Sequence, residues 1–472
     1  MSPARHPLDF AVRAMNGTLA QAAARPTFAG AAADSRAVQA DQLFFALPGE
    51  RVDGFDFVAQ AVASGAAGVV IARGRGLPKA CAGAAVIAVD DPRKALGDLA
   101  RAVRAQFRGR VVAVTGSNGK TTTKELCAAA LRPLGEVLRT PGNFNTDVGL
   151  PLTILSARGD EAAWVLEMAM RAPGEIAYLT EIARPDIGII TNVAAAHLET
   201  LGSIEGVARA KGELFAGLGP TATAVLPVDD PLIAAQAAPV AAERRLTFGG
   251  RSTGDVRVLD CITAGAGGSV VRYAVRRTPV VVRLPLGGAH NARNGAAALA
   301  AALAAGVPSV DAALGLEAVT LPPHRSAPIV AGGRTILDDC YNANPASMSA
   351  ALAALAAAAG SGRRFAILGD MLELGPGAEA AHRALGRAAG TSVGGLTAVG
   401  ALAPVVVDEA RAAGLPAERA IVAASPEEAA ATLAPWTAAG DWILVKASRG
   451  LRLERAVEAL RAALGSSTER GS

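Results

Sequence analysis

Residues 111–125 read Val111-Val112-Ala113-Val114-Thr115-Gly116-Ser117-Asn118-Gly119-Lys120-Thr121-Thr122-Thr123-Lys124-Glu125. A short apolar run feeds a turn with two glycines, then Gly-Lys-Thr, then helix-forming sequence, the order of a strand, a phosphate-binding loop and a helix. Gly116 and Gly119 let the backbone bend until several N–H groups face one phosphate. The N-terminus of the following helix adds the positive end of its dipole. Lys120 has the length to reach outer phosphates, and the Thr121 hydroxyl is a magnesium ligand in this pattern. The plain alternative, an ordinary strand–turn–helix with an exposed lysine, leaves the coincidence of all these parts unexplained. Val114 stands five residues before Gly119, where the general motif has glycine. The shorter loop marks a particular subfamily of nucleotide enzymes, and the expected ligand is ATP or a close relative.

The rest of the chain frames this loop. With 472 residues, two to four domains are expected, each with its own core. Apolar residues at 51% and charged ones at 19% exclude a disordered chain. The net charge of +4 is spread without a long basic block, so nucleic acid is not an expected partner. Cys81, Cys127, Cys261 and Cys340 lie far apart in sequence, which suits free thiols in a reducing cytoplasm. The N-terminus lacks a signal-peptide pattern. The alanine-rich stretches 295–307 and 350–359 are too short to span a bilayer and read as packed helices.

Strand-like runs at 43–47 and 68–72 belong to a first unit, residues 1–90, closed by Asp90-Asp91-Pro92. A helix over 93–106 then leads into the phosphate-loop strand. Apolar runs at 111–114, 164–166, 187–190 and 224–226 alternate with helical sequence, which predicts a parallel sheet wrapped by helices. Residues 245–287 change to short strands with Gly-rich turns, a small antiparallel addition, and helical sequence follows at 291–305. Pro322-Pro323 marks a second boundary. Residues 322–472, with strands near 365–368 and 442–445, read as a smaller α/β domain after the central one at 91–321.

Polar residues cluster where these strands end. Glu167 closes the run 163–166, and ligands of open α/β sheets sit at such carboxyl ends. Alone it reads as a surface glutamate; behind a phosphate loop, a magnesium role is favoured. His197 lies just past the strand 187–190, with packing and ligand roles evenly balanced. Lys211 falls on a helix over 204–218, where a solvated lysine is the ordinary expectation. Asn291 and Asn294 open a helix, and Asp339, Tyr341 and Asn342 follow an apolar strand; capping competes with ligand binding in both places. Asp370 and Lys446 repeat the arrangement, so three polar strand ends of the third domain are expected to converge on a cleft facing the phosphate loop.

Together these segments resemble the Mur ligases, the ATP-dependent amide-forming enzymes of peptidoglycan precursor synthesis, over nearly the whole chain. The resemblance rests on Asp34-Ser35-Arg36, Gly116–Glu125 with its Gly-Lys-Thr, Asn143-Phe144-Asn145 and Glu167-Met168. It continues through Thr191-Asn192-Val193, Ala196-His197-Leu198-Glu199, Ala210-Lys211-Gly212-Glu213 and His290-Asn291-x-x-Asn294. Asp339-x-Tyr341-Asn342-Ala343-Asn344-Pro345 together with Gly369-Asp370-Met371-x-Glu373-Leu374-Gly375 looks specific to the member that adds D-Ala-D-Ala. The implied fold is α/β with three domains. A small N-terminal α/β domain takes the UDP-sugar end, a central P-loop ATPase is built on a parallel sheet, and a C-terminal Rossmann-like domain closes on the nucleotide. The implied activity joins D-Ala-D-Ala to UDP-MurNAc-tripeptide at the cost of ATP, in a cytoplasmic monomer with no membrane insertion.

The resemblance also implies roles. Thr115, Gly116, Ser117, Asn118, Gly119, Lys120, Thr121 and Thr122 hold the ATP phosphates. Thr121 and Glu167 hold a first Mg2+, and His197 and Lys211 serve a second, Lys211 as a carbamate in some members. Asn291, Asn294, Arg325 and Asp339 match nucleotide-contacting positions. Ser35, Arg36, Asn145 and Thr146 match the grip on the UDP-linked substrate, and Tyr341, Asn342 and Lys446 the dipeptide end. The chain departs from the family pattern at Phe55 (usually His), Thr146 (Asn), Ala169 (Gly), His324 (Gly) and Ala447 (Gly). Two other readings are a folylpolyglutamate synthetase on the same scaffold and an ATP-binding regulatory protein that forms no amide. The Asp34-Ser35-Arg36 and Tyr341–Pro345 segments speak against the first, and Glu167, His197 and Lys211 against the second.

Overall fold

A computed structural model describes residues 2–49, 52–76, 81, 83–194, 198–358, 360 and 362–465. The phosphate-loop strand, Arg110–Thr115, lies inside a nine-stranded sheet, between Ile187–Ile190 and Ala163–Glu167 and parallel to both. Residues 111–114 are completely buried, which is why this strand reads as an unbroken apolar run and not as an alternation. Parallel pairing continues outward through Thr223–Pro227 and Arg245–Phe248 to Val256–Thr263. Ser269–Val275 and Thr278–Leu284 then add antiparallel strands at the edge. The antiparallel addition is thus continuous with the central sheet.

The first unit carries a five-stranded sheet in which Ala31–Ala32, Leu43–Phe45, Gly68–Ala72 and Ala85–Val89 run parallel, with Thr18–Gln21 antiparallel at one edge. The helix Pro92–Gln106 starts where sequence chemistry places it. Pro92 fixes the first turn, and the Asp91 carboxylate accepts from the N–H groups of Arg93 (2.8 Å) and Lys94 (3.3 Å). Its buried face, Leu96, Leu99 and Val103, joins an apolar cluster running from Phe45 and Ile87 of the first unit to Trp164 and Leu179 of the central one. Phe107 stacks on Trp164 with ring centres 3.9 Å apart, sealing the end of that helix against the central sheet.

The third sheet orders Arg334–Asp338, Trp442–Lys446, Arg364–Gly369, Leu396–Val399 and Ala420–Ala423 in parallel, with Ala327–Ala331 antiparallel at the edge. Asp338 and Lys446 therefore close neighbouring strands at their carboxyl ends. Among the described residues, no helix is long and apolar enough to cross a membrane.

The alanine-rich sequence supports the phosphate loop from behind. Ala289–Ala304 packs on the loop's helix, Lys120–Leu131, through small side chains that let the backbones approach. The helix Ser309–Glu317 packs on the same helix through Gly315, where a methyl group would overlap the carbonyl oxygen of Ala129. Gly315→Ala should therefore destabilise the chain by about 1–3 kcal/mol through overpacking. Thermal unfolding checks this; an unchanged melting temperature would show that the two helices are not in close contact.

Candidate active site

The loop after Arg110–Thr115 is shaped from the neighbouring strand end. The Thr191 hydroxyl (2.6 Å) and the Asn192 Nδ2 (2.9 Å) both donate to the Asn118 carbonyl, and the Asn118 N–H donates to Asn192 Oδ1 (2.9 Å). The Ser117 hydroxyl bonds the Ala194 backbone. Gly119 has φ +78°, and a Cβ there would meet Asn294 Oδ1 at 2.6 Å. Lys120 folds back, donating to the carbonyls of Gly116 (2.8 Å) and Ser117 (3.3 Å). Desolvation lowers its pKa, Glu167 opposes the shift and Arg325 adds to it.

A cavity of about 1230 Å³ opens over this loop, larger than a single small-ligand site requires. Its wall takes in the loop from Ser117 to Thr122, then Asn145, Thr146 and Glu167 of the central unit, and Asn291 and Asn294 at the start of their helix. The third unit contributes Arg325, Asp339, Tyr341, Asn342 and Lys446. Thr115 and Gly116 lie beneath, both buried. All three expected strand ends reach this wall, the third through Glu373. Asp370 itself is a correction: its carboxylate accepts from the N–H groups of Ala401 (2.7 Å) and Leu402 (3.1 Å), so it caps the turn before Ala403–Ala412 instead of lining the cavity.

The other predicted residues sort by geometry. Glu167 is buried, not on the surface. Asn145 Nδ2 donates to its Oε1 (2.8 Å), whereas Oε2 has no hydrogen-bond partner among the described residues and lies 3.8 Å from Lys124 Nζ. Glu167 lines the cavity beside the phosphate loop and keeps one carboxylate oxygen without a hydrogen bond, a hard oxygen donor of the kind a magnesium ion takes, so the residues present fit such an ion. Lys211 corrects the solvated expectation, being only 3% exposed on Ile204–Ala216. Desolvation first, and repulsion from Lys120 second, hold its amine well below the ordinary lysine range. Ser35 and Arg36 stand apart from the cavity: Ser35 donates to Gln60 Oε1 (2.8 Å), and Arg36 pairs with Asp34 at the surface. His197 lies outside the described residues.

Contacts cross from the third unit to the loop. Arg325 Nη2 donates to the Thr121 hydroxyl (3.1 Å) while its guanidinium lies 3.9 Å over the Tyr341 ring. Asn344 Nδ2 donates to Asn118 Oδ1 (2.6 Å). Lys446 is buried and occupied by Asp339 Oδ2 (2.6 Å) and the Asn342 carbonyl (2.9 Å). Sequence reasoning missed Lys124, which is fully buried and donates to the Thr140 carbonyl (2.7 Å) beside Glu125 and Glu167. Its spacing of four from Lys120, on one helix face, was the available signal.

Three family models match: Mur ligase family, catalytic domain over residues 27–104; Mur ligase middle domain over 114–302; and Mur ligase, glutamate ligase domain over 324–449. A Bacillus subtilis relative named UDP-N-acetylmuramoyl-tripeptide–D-alanyl-D-alanine ligase is 36% identical over 94% of this chain and 96% of its own. The chain belongs to the Mur ligase family. A Mycobacterium tuberculosis relative of the same name is 41% identical over 75% of this chain and 74% of its own. Among solved structures, MurF from Acinetobacter baumannii superposes with a TM-score of 0.87 at 30% identity, covering 98% of this chain and 100% of that one. MurF ligase from Thermotoga maritima in complex with ADP gives 0.82 at 31% identity, covering 93% and 99%. Mycobacterium tuberculosis folylpolyglutamate synthase shares the fold at 19% identity, with a TM-score of 0.64 over 78% of this chain and 93% of that one.

In this Mur ligase, the left-handed backbone at Gly119 makes a direct prediction. Gly119→Ala adds about 1–2 kcal/mol of backbone strain and drives a methyl into Asn294. ATP affinity should fall about tenfold or more, since each 1.4 kcal/mol is a factor of ten. Equilibrium binding of a labelled ATP analogue measures it, and unchanged affinity would remove this loop from the nucleotide site.

Proposed function

We propose that this chain joins D-Ala-D-Ala to the terminal carboxylate of UDP-MurNAc-tripeptide, converting ATP to ADP and phosphate and yielding UDP-MurNAc-pentapeptide. One observation carries the reading: the phosphate loop and the Asp339–Asn344 segment of the third unit line one cavity, in a chain whose near-full-length relatives bear that ligase's name. We assign residues 1–90 to the UDP-substrate domain, 91–321 to the ATPase and 322–472 to the closing domain, in a cytoplasmic monomer.

The chemistry follows from the groups at hand. A carboxylate is a poor acyl donor because oxide is a poor leaving group. Transfer of the γ-phosphoryl group onto it gives an acyl phosphate. The dipeptide amine then attacks the carbonyl carbon, and the tetrahedral intermediate expels phosphate. Lys120 and the loop N–H groups orient the ATP phosphates and neutralise charge on the moving group. Asn291 and Asn294 line the nucleotide side, and Arg325 spans from Tyr341 to Thr121 to bring the third unit's charge to the loop. Asn145 and Thr146 face the UDP-linked substrate, and Tyr341, Asn342 and Lys446 the dipeptide. Two magnesium ions would supply further counter-charge when bound, the first held by Thr121 and Glu167 and the second by His197 and by Lys211 as its carbamate. Closure keeps water from the acyl phosphate.

Phosphate release with ATP and magnesium, omitting each peptide substrate in turn, tests the reading. Release should require the UDP-tripeptide, continue only with D-Ala-D-Ala and match amide formed, and Lys120→Ala should abolish it. Release indifferent to both peptides would leave an ATP-binding protein with another task.

A second prediction concerns Lys211. A carbamate forms from the neutral amine, and a depressed pKa raises the neutral fraction near neutral pH, so carbamylation is favoured there. With 13C-bicarbonate, the wild-type protein should show a carbamate carbon resonance by NMR that Lys211→Ala lacks. A resonance shared by both proteins, or seen in neither, sinks the modification.

A further inference from the structure

Three donors of different chemistry meet just behind the cavity wall. His324 Nδ1 lies 2.8 Å from Asp338 Oδ2, Cys340 Sγ lies 3.0 Å from Asp338 Oδ1, and Sγ lies 3.5 Å from His324 Nδ1. All three ligand atoms fall within 4.8 Å of one another. Asp338 and Cys340 are buried, while the imidazole is partly exposed and gives a route from solvent. Alternate residues divide the work, because Asp339 and Tyr341 line the cavity while Asp338 and Cys340 are buried outside its lining.

We propose that His324, Asp338 and Cys340 form a binding site for a borderline-soft divalent cation of the Zn2+ class. Nitrogen, oxygen and sulfur donors are the set such a cation takes. Tetrahedral bonds of 2.0–2.3 Å put ligand atoms about 3.3–3.6 Å apart; with one Asp338 oxygen serving as ligand, the three donor atoms already lie within 4.8 Å of one another, so only small side-chain movements bring them to that spacing. Charge also fits. Asp338, Asp339 and Glu454 surround the thiol with negative charge, and Glu454 Oε2 is buried without a hydrogen-bond partner among the described residues. Binding forms a sulfur–metal bond and breaks the S–H bond, the proton leaving to solvent. One dication, one thiolate, one carboxylate and a neutral imidazole then sum to zero, the cheapest total for a buried site.

The backbone points the same way. His324 has φ +66° and Ser326 φ +56°, left-handed values rare for such residues and held on both sides of Arg325. A cation on His324 would pin this strained segment, and with it the guanidinium that reaches Thr121. Coordination of Asp338 and Cys340 would fix Asp339 between them, the partner of Lys446.

The test is a Co2+ titration of the metal-free, full-length chain, following thiolate-to-cobalt charge-transfer absorbance, then displacement by Zn2+. The expected result is a band saturating at one equivalent, absent in Cys340→Ser and requiring about tenfold or more Co2+ in His324→Gly. His324→Gly also relaxes the φ +66° strain, so it folds even if Cys340→Ser does not. Cys81, Cys127 and Cys261 remain in both variants as controls. No band in the wild type, a band that survives Cys340→Ser, or unchanged affinity in His324→Gly would each overturn the site and leave a hydrogen-bonded cluster only.

Discussion

The grip of Thr191 and Asn192 on the Asn118 carbonyl is the contact on which the rest of the site depends. A phosphate loop must point its N–H groups outward, so its carbonyls turn inward and need donors of their own. Here the donors come from the end of the adjacent parallel strand, Ile187–Ile190. Sheet register therefore sets loop shape. Ile190 pairs with Thr115, so the polar residues just after one strand meet the turn just after the other. Gly116 belongs to the same arrangement, since a side chain there would collide with the Thr191 hydroxyl that supplies the bond.

Three lysines on or behind this loop show how burial sorts one residue type into different tasks. Lys124 is fully enclosed but has the Thr140 carbonyl and two carboxylates, so its charge is compensated. Lys446 is enclosed and neutralised by Asp339. Lys211 has desolvation and a second cation acting on it together, and both disfavour its proton. The first two hold structure around the cavity; the third has no such compensating anion beside it among the causes of its shift. Burial alone does not separate these cases, and the neighbouring charges do.

Much of this was legible in the sequence because parallel sheets write plainly. Residues 111–114 and 187–190 are apolar without alternation since both faces are covered, and Gly-Lys-Thr follows where the first of these strands ends at the cavity. What was not legible depends on contacts between distant segments. The burial of Lys211 arises because its helix turns that face toward the sheet, whereas local sequence shows only a lysine among apolar residues. Asp370 reads like Asp339, an acid after an apolar strand, yet one caps backbone N–H groups at 401–402 and the other neutralises Lys446. The departure at His324 was visible, but its cause was not: the backbone there is left-handed, which explains why glycine is the usual residue at that place.

The contacts from the third unit carry a consequence for nucleotide entry. Arg325 bonds the Thr121 hydroxyl, Asn344 bonds the Asn118 side chain, and Lys120 is spent on the carbonyls of its own loop. All of these side chains line the cavity over the loop. Their polar atoms have partners within the protein, so a hydrogen bond made elsewhere by any of them replaces an existing one, with little net gain per bond. Charge acts separately, since Arg325 and Lys120 lie close enough to repel each other. The same repulsion that makes the two cations costly side by side is relieved when phosphate lies between them. The seating of the third unit on the loop thus brings two cations together at the cavity wall.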